Sequence, residues 1–337
     1  MIKKLLILIM IASCMMSTSC KKTVEEPQYT FLPKENIVND RQYYTGVDEI
    51  RFPDTLWTTS VFEQAPQYDR LDQVAKAYFL QSVDYNNSPT YVFAFVGIPE
   101  TATKNNPVPG VVLIHGGGGT AFPDWVKMWN DRGYAAIAID TEGRIPAADA
   151  SLHSGSNISF ESIMNHGPGN TNYSDCEKPA NQQHLYHAIA GVIVANSFLS
   201  LFEEVDSSKI GITGISWGGV IATNAVAYDD RFAFAVPVYG AVSMTGTDGI
   251  FGSIYDIYPR SSTLWDNVEM LRDCRTPILF VNWDNDPFFP ADATEECANI
   301  AINGMMLLIP ELNHGHWQGA NIEEIFNFAD DVLRSVY

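Results

Sequence analysis

An α/β fold, with a mostly parallel central sheet, helices on both faces and an N-terminal antiparallel hairpin, is what this 337-residue sequence predicts. Three observations predict it. Short, continuously apolar runs recur, as expected of strands buried on both faces. They alternate with stretches of helical length, the rhythm of strand–helix–strand units wound onto a parallel sheet. Before them come two aromatic and β-branched runs, Val74–Tyr85 and Thr90–Ile98, separated by the turn signal Asn86-Asn87-Ser88-Pro89, which together read as a hairpin.

After the hairpin, Val111-Val112-Leu113-Ile114 is the first doubly buried strand, Trp125–Asp131 a helix and Tyr134–Ile139 a strand. A helix over His184–Phe202, a strand over Lys209–Ile215 and a helix over Gly218–Ala227 come next. Strands at Phe232–Val238, Ile278–Val281 and Met305–Ile309 are followed or separated by helices at Ala291–Ile302 and Ile322–Val336, the last of them amphipathic. Two stretches break the rhythm: Thr141–Asn181, rich in Gly, Asn and Ser, and Gly240–Arg275. Long irregular segments in a compact domain are commonly functional. Both follow carboxyl ends of parallel strands, where open α/β sheets place their sites. They are expected to form the rim or lid of a pocket; plain surface insertion is the alternative. Residues 46–337 therefore read as one domain with insertions near 141–181 and 240–275, without internal repeats.

The N-terminus reads as a targeting segment. Lys3 and Lys4 form a positive region, Leu5–Ala12 is an apolar run too short to span a bilayer, and Ser17-Thr18-Ser19-Cys20 follows. This layout resembles a bacterial lipoprotein signal over residues 1–19, with Cys20 lipidated, residues 20–45 as a polar tether and the protein exported and held at a membrane. Ile11-Ala12-Ser13-Cys14 matches such a site locally but leaves a very short signal; an ordinary secretory signal is the other alternative. Three cysteines remain, Cys176, Cys274 and Cys297, so at most one disulfide can form. Twenty Lys+Arg against 40 Asp+Glu give a net charge of −20, which disfavours nucleic acid and polyanionic substrates as partners. Nothing indicates the oligomeric state.

The chemistry centres on Gly214-Ile215-Ser216-Trp217-Gly218. A Gly-x-Ser-x-Gly is weak by composition alone. Here it directly follows the strand Ile210-Gly211-Ile212-Thr213 and opens a helix, the arrangement a nucleophile elbow needs. The tight turn demands small residues two positions either side of the serine, and it holds Oγ at a helix N-terminus where developing negative charge is favoured. His115-Gly116-Gly117-Gly118-Gly119 follows the strand Val111–Ile114. Backbone N–H groups there, from Gly116 or Gly117, would meet the charge of an acyl-transfer transition state together with the N–H of Trp217. A flexible loop or a phosphate-cradling turn is the alternative, although the Lys-Ser/Thr of a phosphate loop is missing. His115 itself reads as a structural hydrogen-bonder.

A serine hydroxyl needs a base. In elbow hydrolases the acid and the histidine follow the serine in that order. Only His314 and His316 lie beyond Ser216; His314 is favoured as base, with His316 lining the pocket or stacking near Trp317. Asp284 and Asp286, in the loop from Val281 to Pro290, both qualify as the acid, and Asp286 is favoured because Pro290 lies four residues on. Trp125 and His316 are the candidate substrate-binding residues. His184 and His187 share a helix face and could bind metal, but capping or core hydrogen bonding explains them more simply. No metal and no cofactor are expected.

These segments, with Trp125–Tyr134 and Ala138-Ile139-Asp140, resemble the acetylxylan esterase branch of the α/β-hydrolases over about residues 70–335. They are also similar to dienelactone hydrolases and to the catalytic domain of prolyl-oligopeptidase-like peptidases. The resemblance implies deacetylation of xylan-like carbohydrate or related small esters; the residues by themselves point only to serine acyl hydrolysis. Trp283-Asp284 departs from the pattern, standing where the family tends to have small or hydroxyl residues. A dienelactone hydrolase proper would carry Cys at position 216. The stretch before His115 is short for the β-propeller of a prolyl-oligopeptidase relative. A catalytically inactive, glycan-binding lipoprotein is the non-enzyme alternative.

Overall fold

The computed structural model describes residues 50–58, 61–71, 74–154, 160–163 and 165–335. The leader, the tether, Cys14 and Cys20 lie outside the described residues. A nine-stranded sheet runs in the order β1-β2-β3-β5-β4-β8-β9-β10-β11. Its strands are β1 (Phe62–Gln64), β2 (Lys76–Tyr85), β3 (Ser88–Gly97), β4 (Val108–Ile114), β5 (Ala135–Ile139), β8 (Val205–Ile215), β9 (Ala235–Val238), β10 (Ile278–Asn282) and β11 (Gly304–Leu308). The first three and their join to β5 are antiparallel; from β5 to β11 every pairing is parallel. A separate two-stranded ribbon pairs β6 (Arg144–Pro146) with β7 (Phe160–Ser162). The hairpin turn is tighter than the sequence suggests. Asn86 and Asn87 take φ of 52° and 62°, which asparagine tolerates, and Ser88 and Pro89 already belong to β3.

The helices are α1 (Thr55–Thr58), α2 (Pro123–Asn130), α3 (His184–Leu199), α4 (Trp217–Tyr228), α5 (Ile250–Ile257), α6 (Pro259–Trp265), α7 (Ala291–Ile300), α8 (His316–Ala320) and α9 (Glu323–Ser335). Alternation along β4 shows how one strand serves two cores. Val112 and Ile114 pack in a cluster with residues of α3, α4 and α7, while Val111 and Leu113 pack in a second cluster with residues of α2 and α9. All 16 residues of α3 are buried, so its helical pattern carries no polar face. In α9 Ile325, Phe328, Ala329 and Val332 form a buried stripe at helical spacing.

The 240–275 segment is not irregular throughout: it holds α5, α6 and a 3-10 turn at Val268–Leu271. Helices of 8 and 7 residues are too short to impose a readable period, and Pro259 restarts the count at the first position of α6. The two insertions are bonded to each other. Arg260 donates to the carbonyls of Cys176 and Lys178, and the Tyr173 and Tyr255 hydroxyls lie 2.5 Å apart. Trp265 Nε1 donates to Gln183 at the head of α3. Cys176, Cys274 and Cys297 are buried, and no disulfide joins them among the described residues.

Candidate active site

The carboxyl ends of β4, β8, β9, β10 and β11 supply the parts. Ser216 sits between β8 and α4 with φ 57° and ψ −118°, a conformation L residues rarely adopt. Tight backbone approach enforces the flanking glycines. A Cβ on Gly214 would run into the carbonyl of Gly218, and one on Gly218 into the carbonyl of Ile114 at the end of β4. Ser216 N–H donates to Val238 O at 2.9 Å, tying the elbow to β9.

The structure brings Ser216, His314 and Asp286 together. His314 Nε2 lies 2.7 Å from Ser216 Oγ, and His314 Nδ1 lies 2.6 Å from Asp286 Oδ2. Asp286 is buried while its rival Asp284 is exposed to solvent. The first carboxylate oxygen accepts N–H bonds from Phe288 and Phe289 at 2.8 and 2.9 Å. Burial pushes the Asp286 carboxyl up. The hydrogen bond from His314, its charge and the two amides outweigh that and hold the carboxyl below its ordinary value. Asp286 is thus an ionised acceptor, Nδ1 of His314 donates to it, and Nε2 is free to accept the Ser216 proton.

Tyr239, the residue after β9, was not singled out by sequence. Its ring lies 4.3 Å from that of His314, its hydroxyl donates to the carbonyl of Gly315, and the Gly315 N–H returns a bond to it at 3.3 Å. It clamps the loop that carries the histidine. Its position at the end of a parallel strand was the available signal.

His316 does something other than line the pocket. Its Nε2 accepts the Gly116 N–H at 3.0 Å, and Phe122 meets its ring edge-on at 5.0 Å. Burial, then the charge of His115, lowers its pKa to about 4, so the ring is neutral and able to accept. This bond commits the Gly116 amide, one of the two glycine alternatives expected to donate to the oxyanion beside Trp217. Gly116 is buried, whereas Gly117 is exposed and has open space where a side chain would be. The N–H of Trp217 begins α4 and has no intrahelical acceptor by position.

Trp125 is a correction. It is 2% exposed and packs in the core between α2 and the sheet, so it has almost no surface to offer a substrate. The indole of Trp217 instead stacks with Phe251 of α5 at 5.5 Å and meets Tyr173 at 5.1 Å, which seats both insertions beside the elbow. His115 is buried, with Nδ1 2.7 Å from Gly116 O and Nε2 accepting the Thr141 N–H at 3.0 Å. His184 and His187 donate to the carbonyls of Thr141 and Asn181 at 2.9 and 3.0 Å.

An elbow serine at the end of a parallel strand, under a glycine loop, defines a hydrolase of the α/β-hydrolase superfamily. More narrowly, the chain belongs to the dienelactone hydrolase family, whose profile matches residues 93–317. No curated protein matches it in sequence. Among solved structures it is similar to an acetyl xylan esterase from Paenibacillus sp. R4, with TM-score 0.58 and 19% identity over 81% of this chain and 88% of that one. Acetyl xylan esterase 1 from Thermoanaerobacterium sp. JW/SL YS485 gives TM-score 0.58 and 14% identity over 88% and 97%. An acylaminoacyl peptidase from Pyrococcus horikoshii gives 0.54 and 14% over 77% of this chain but only 42% of that one. At these identities the likeness is one of fold.

Proposed function

We propose that this protein is a serine esterase that removes acetyl groups from xylan-like carbohydrate or related small esters. One observation carries the reading: the continuous hydrogen-bonded line from Ser216 through His314 to Asp286. Ser216 Oγ attacks the ester carbonyl as His314 Nε2 takes its proton, and Asp286 orients the imidazole and stabilises it once charged. The N–H groups of Trp217 and Gly117 hold the oxyanion, since that of Gly116 is engaged by His316. His314 returns the proton to the leaving alcohol. Water activated by the same ring then attacks the acyl-enzyme and releases the acid. The preference for acetyl esters is supported by the motif resemblance and by the names of two similar structures that this chain covers by 88% and 97%. Lipidation at Cys20, with residues 20–45 as a tether to a membrane, is supported by the leader pattern alone.

Replacing Ser216 by Ala should cost on the order of a millionfold in turnover of p-nitrophenyl acetate and abolish fluorophosphonate labelling. Acetate release from a panel of acetylated glycans, run beside aminoacyl-peptide amides, separates esterase from peptidase. An S216A protein as active as wild type would overturn the assignment, and an unlabelled wild-type protein would favour a binding module.

A further inference from the structure

Asp286 has a donor that none of the expected parts supplies. Its second oxygen, 2.6 Å from His314 Nδ1, also accepts the indole N–H of Trp283 at 2.7 Å. Trp283 is the first residue after β10, three positions before the acid, and the turn that aims it back is clamped. Its backbone N–H donates to Asn282 Oδ1 at 2.8 Å. The Asn282 side chain, fully buried, donates in turn to Phe289 O and Thr294 Oγ1, each at 2.8 Å. The Asp286 carboxylate is wholly enclosed, so these donors replace water around it. With Phe288 and Phe289 on the other oxygen, the carboxylate receives four hydrogen bonds among the described residues, and His314 supplies one of them.

We propose that Trp283 is a positioning residue that tunes the acid–imidazole pair, its indole N–H sharing with His314 the carboxylate oxygen that orients the base. The inference rests on the roles assigned above to Ser216, His314 and Asp286. A carboxylate oxygen with one donor directs its full charge at the imidazole; a second donor spreads that charge. The shared oxygen then stabilises the imidazolium less, and the carboxylate is locked in the rotamer His314 needs. Other groups facing the pair are Tyr239, whose hydroxyl is tied to Gly315, neutral His316 bound to Gly116, and Ser216 beyond the imidazole. Among the described residues none of these three bonds the shared oxygen.

The test is the pH profile of kcat/KM for p-nitrophenyl acetate in W283F, which keeps an aromatic ring and removes the donor. Without the indole N–H the shared oxygen has one donor fewer and directs its full charge at the imidazole. The acidic limb should move up by about half to one unit, while loss of the bond that fixes the carboxylate rotamer should outweigh the stronger charge and lower plateau kcat about threefold to tenfold, with KM nearly unchanged. D284N, altering the exposed neighbour, should retain the wild-type limb. A W283F limb that superimposes on wild type, or a rise in KM alone, would overturn the proposal and leave Trp283 as a wall of the pocket. Should W283F fail to fold, indole-15N labelling of the native enzyme decides: one of the seven tryptophan N–H signals must titrate with the acidic limb and lose that response in D286N. Seven signals that ignore the limb would equally refute it. Failure of the underlying triad reading looks different, because there S216A itself stays active.

Discussion

The imidazole of His316 accepts the backbone N–H of Gly116 at 3.0 Å, joining residues 200 apart in the chain. The segment that carries the base thereby also holds the glycine loop above the nucleophile, and a single movement of it would disturb both. H316A should leave the Gly116 amide without its acceptor and the loop without support. We expect kcat to fall by on the order of a hundredfold, the scale of losing one oxyanion contact, with a much smaller change in KM. Steady-state kinetics with wild-type melting behaviour checks it.

Acid should destabilise the fold over a definite range. His316 and His187 are held at about 4 by burial, against 6.5 for exposed imidazole. Both rings stay neutral in the folded chain while the unfolded chain takes up protons. Their contribution is complete above about 6.5 and is lost as pH falls towards about 4. Asp266, raised to about 6 by burial, opposes them below that pH. H187N removes one of the two rings, so its melting temperature should decline less steeply than wild type between these limits.

The two loop aspartates should separate cleanly. D286N should reduce turnover by about ten-thousandfold, the scale of losing the group that orients the imidazole. D284N changes an exposed side chain and should stay within about twofold of wild type, since surface changes of this kind cost little. Comparable losses in both variants would contradict the geometry at His314.

Trp125 should behave as a core residue. W125A should cost about 3–5 kcal/mol of stability, as large aromatic truncations do, measured by denaturant unfolding. Activity per folded molecule should persist with KM little changed. A raised KM at unchanged stability would restore it as a substrate contact.

Much of the architecture was legible because it rests on local chemistry. Doubly buried strands read as apolar runs, and Gly214 and Gly218 declare a bend that admits no larger side chain. The choice of Asp286 and His314 followed from chain order and loop position. The bonds of Tyr239 to Gly315, the indole bond of Trp283, the second task of His316 and the core burial of Trp125 were not legible. Each depends on which residues from separate strands meet at one edge of the sheet, and local periodicity carries no such information. The short helices of the 240–275 segment stayed hidden for a related reason: packing against the first insertion, more than their own pattern, sustains them. Sequence alone determined the strand order along the chain and the kind of nucleophile, because backbone sterics and burial act within a few residues. Only the tertiary structure decided which amide, which carboxylate and which rings surround that nucleophile, because those partners are chosen by close packing between distant segments.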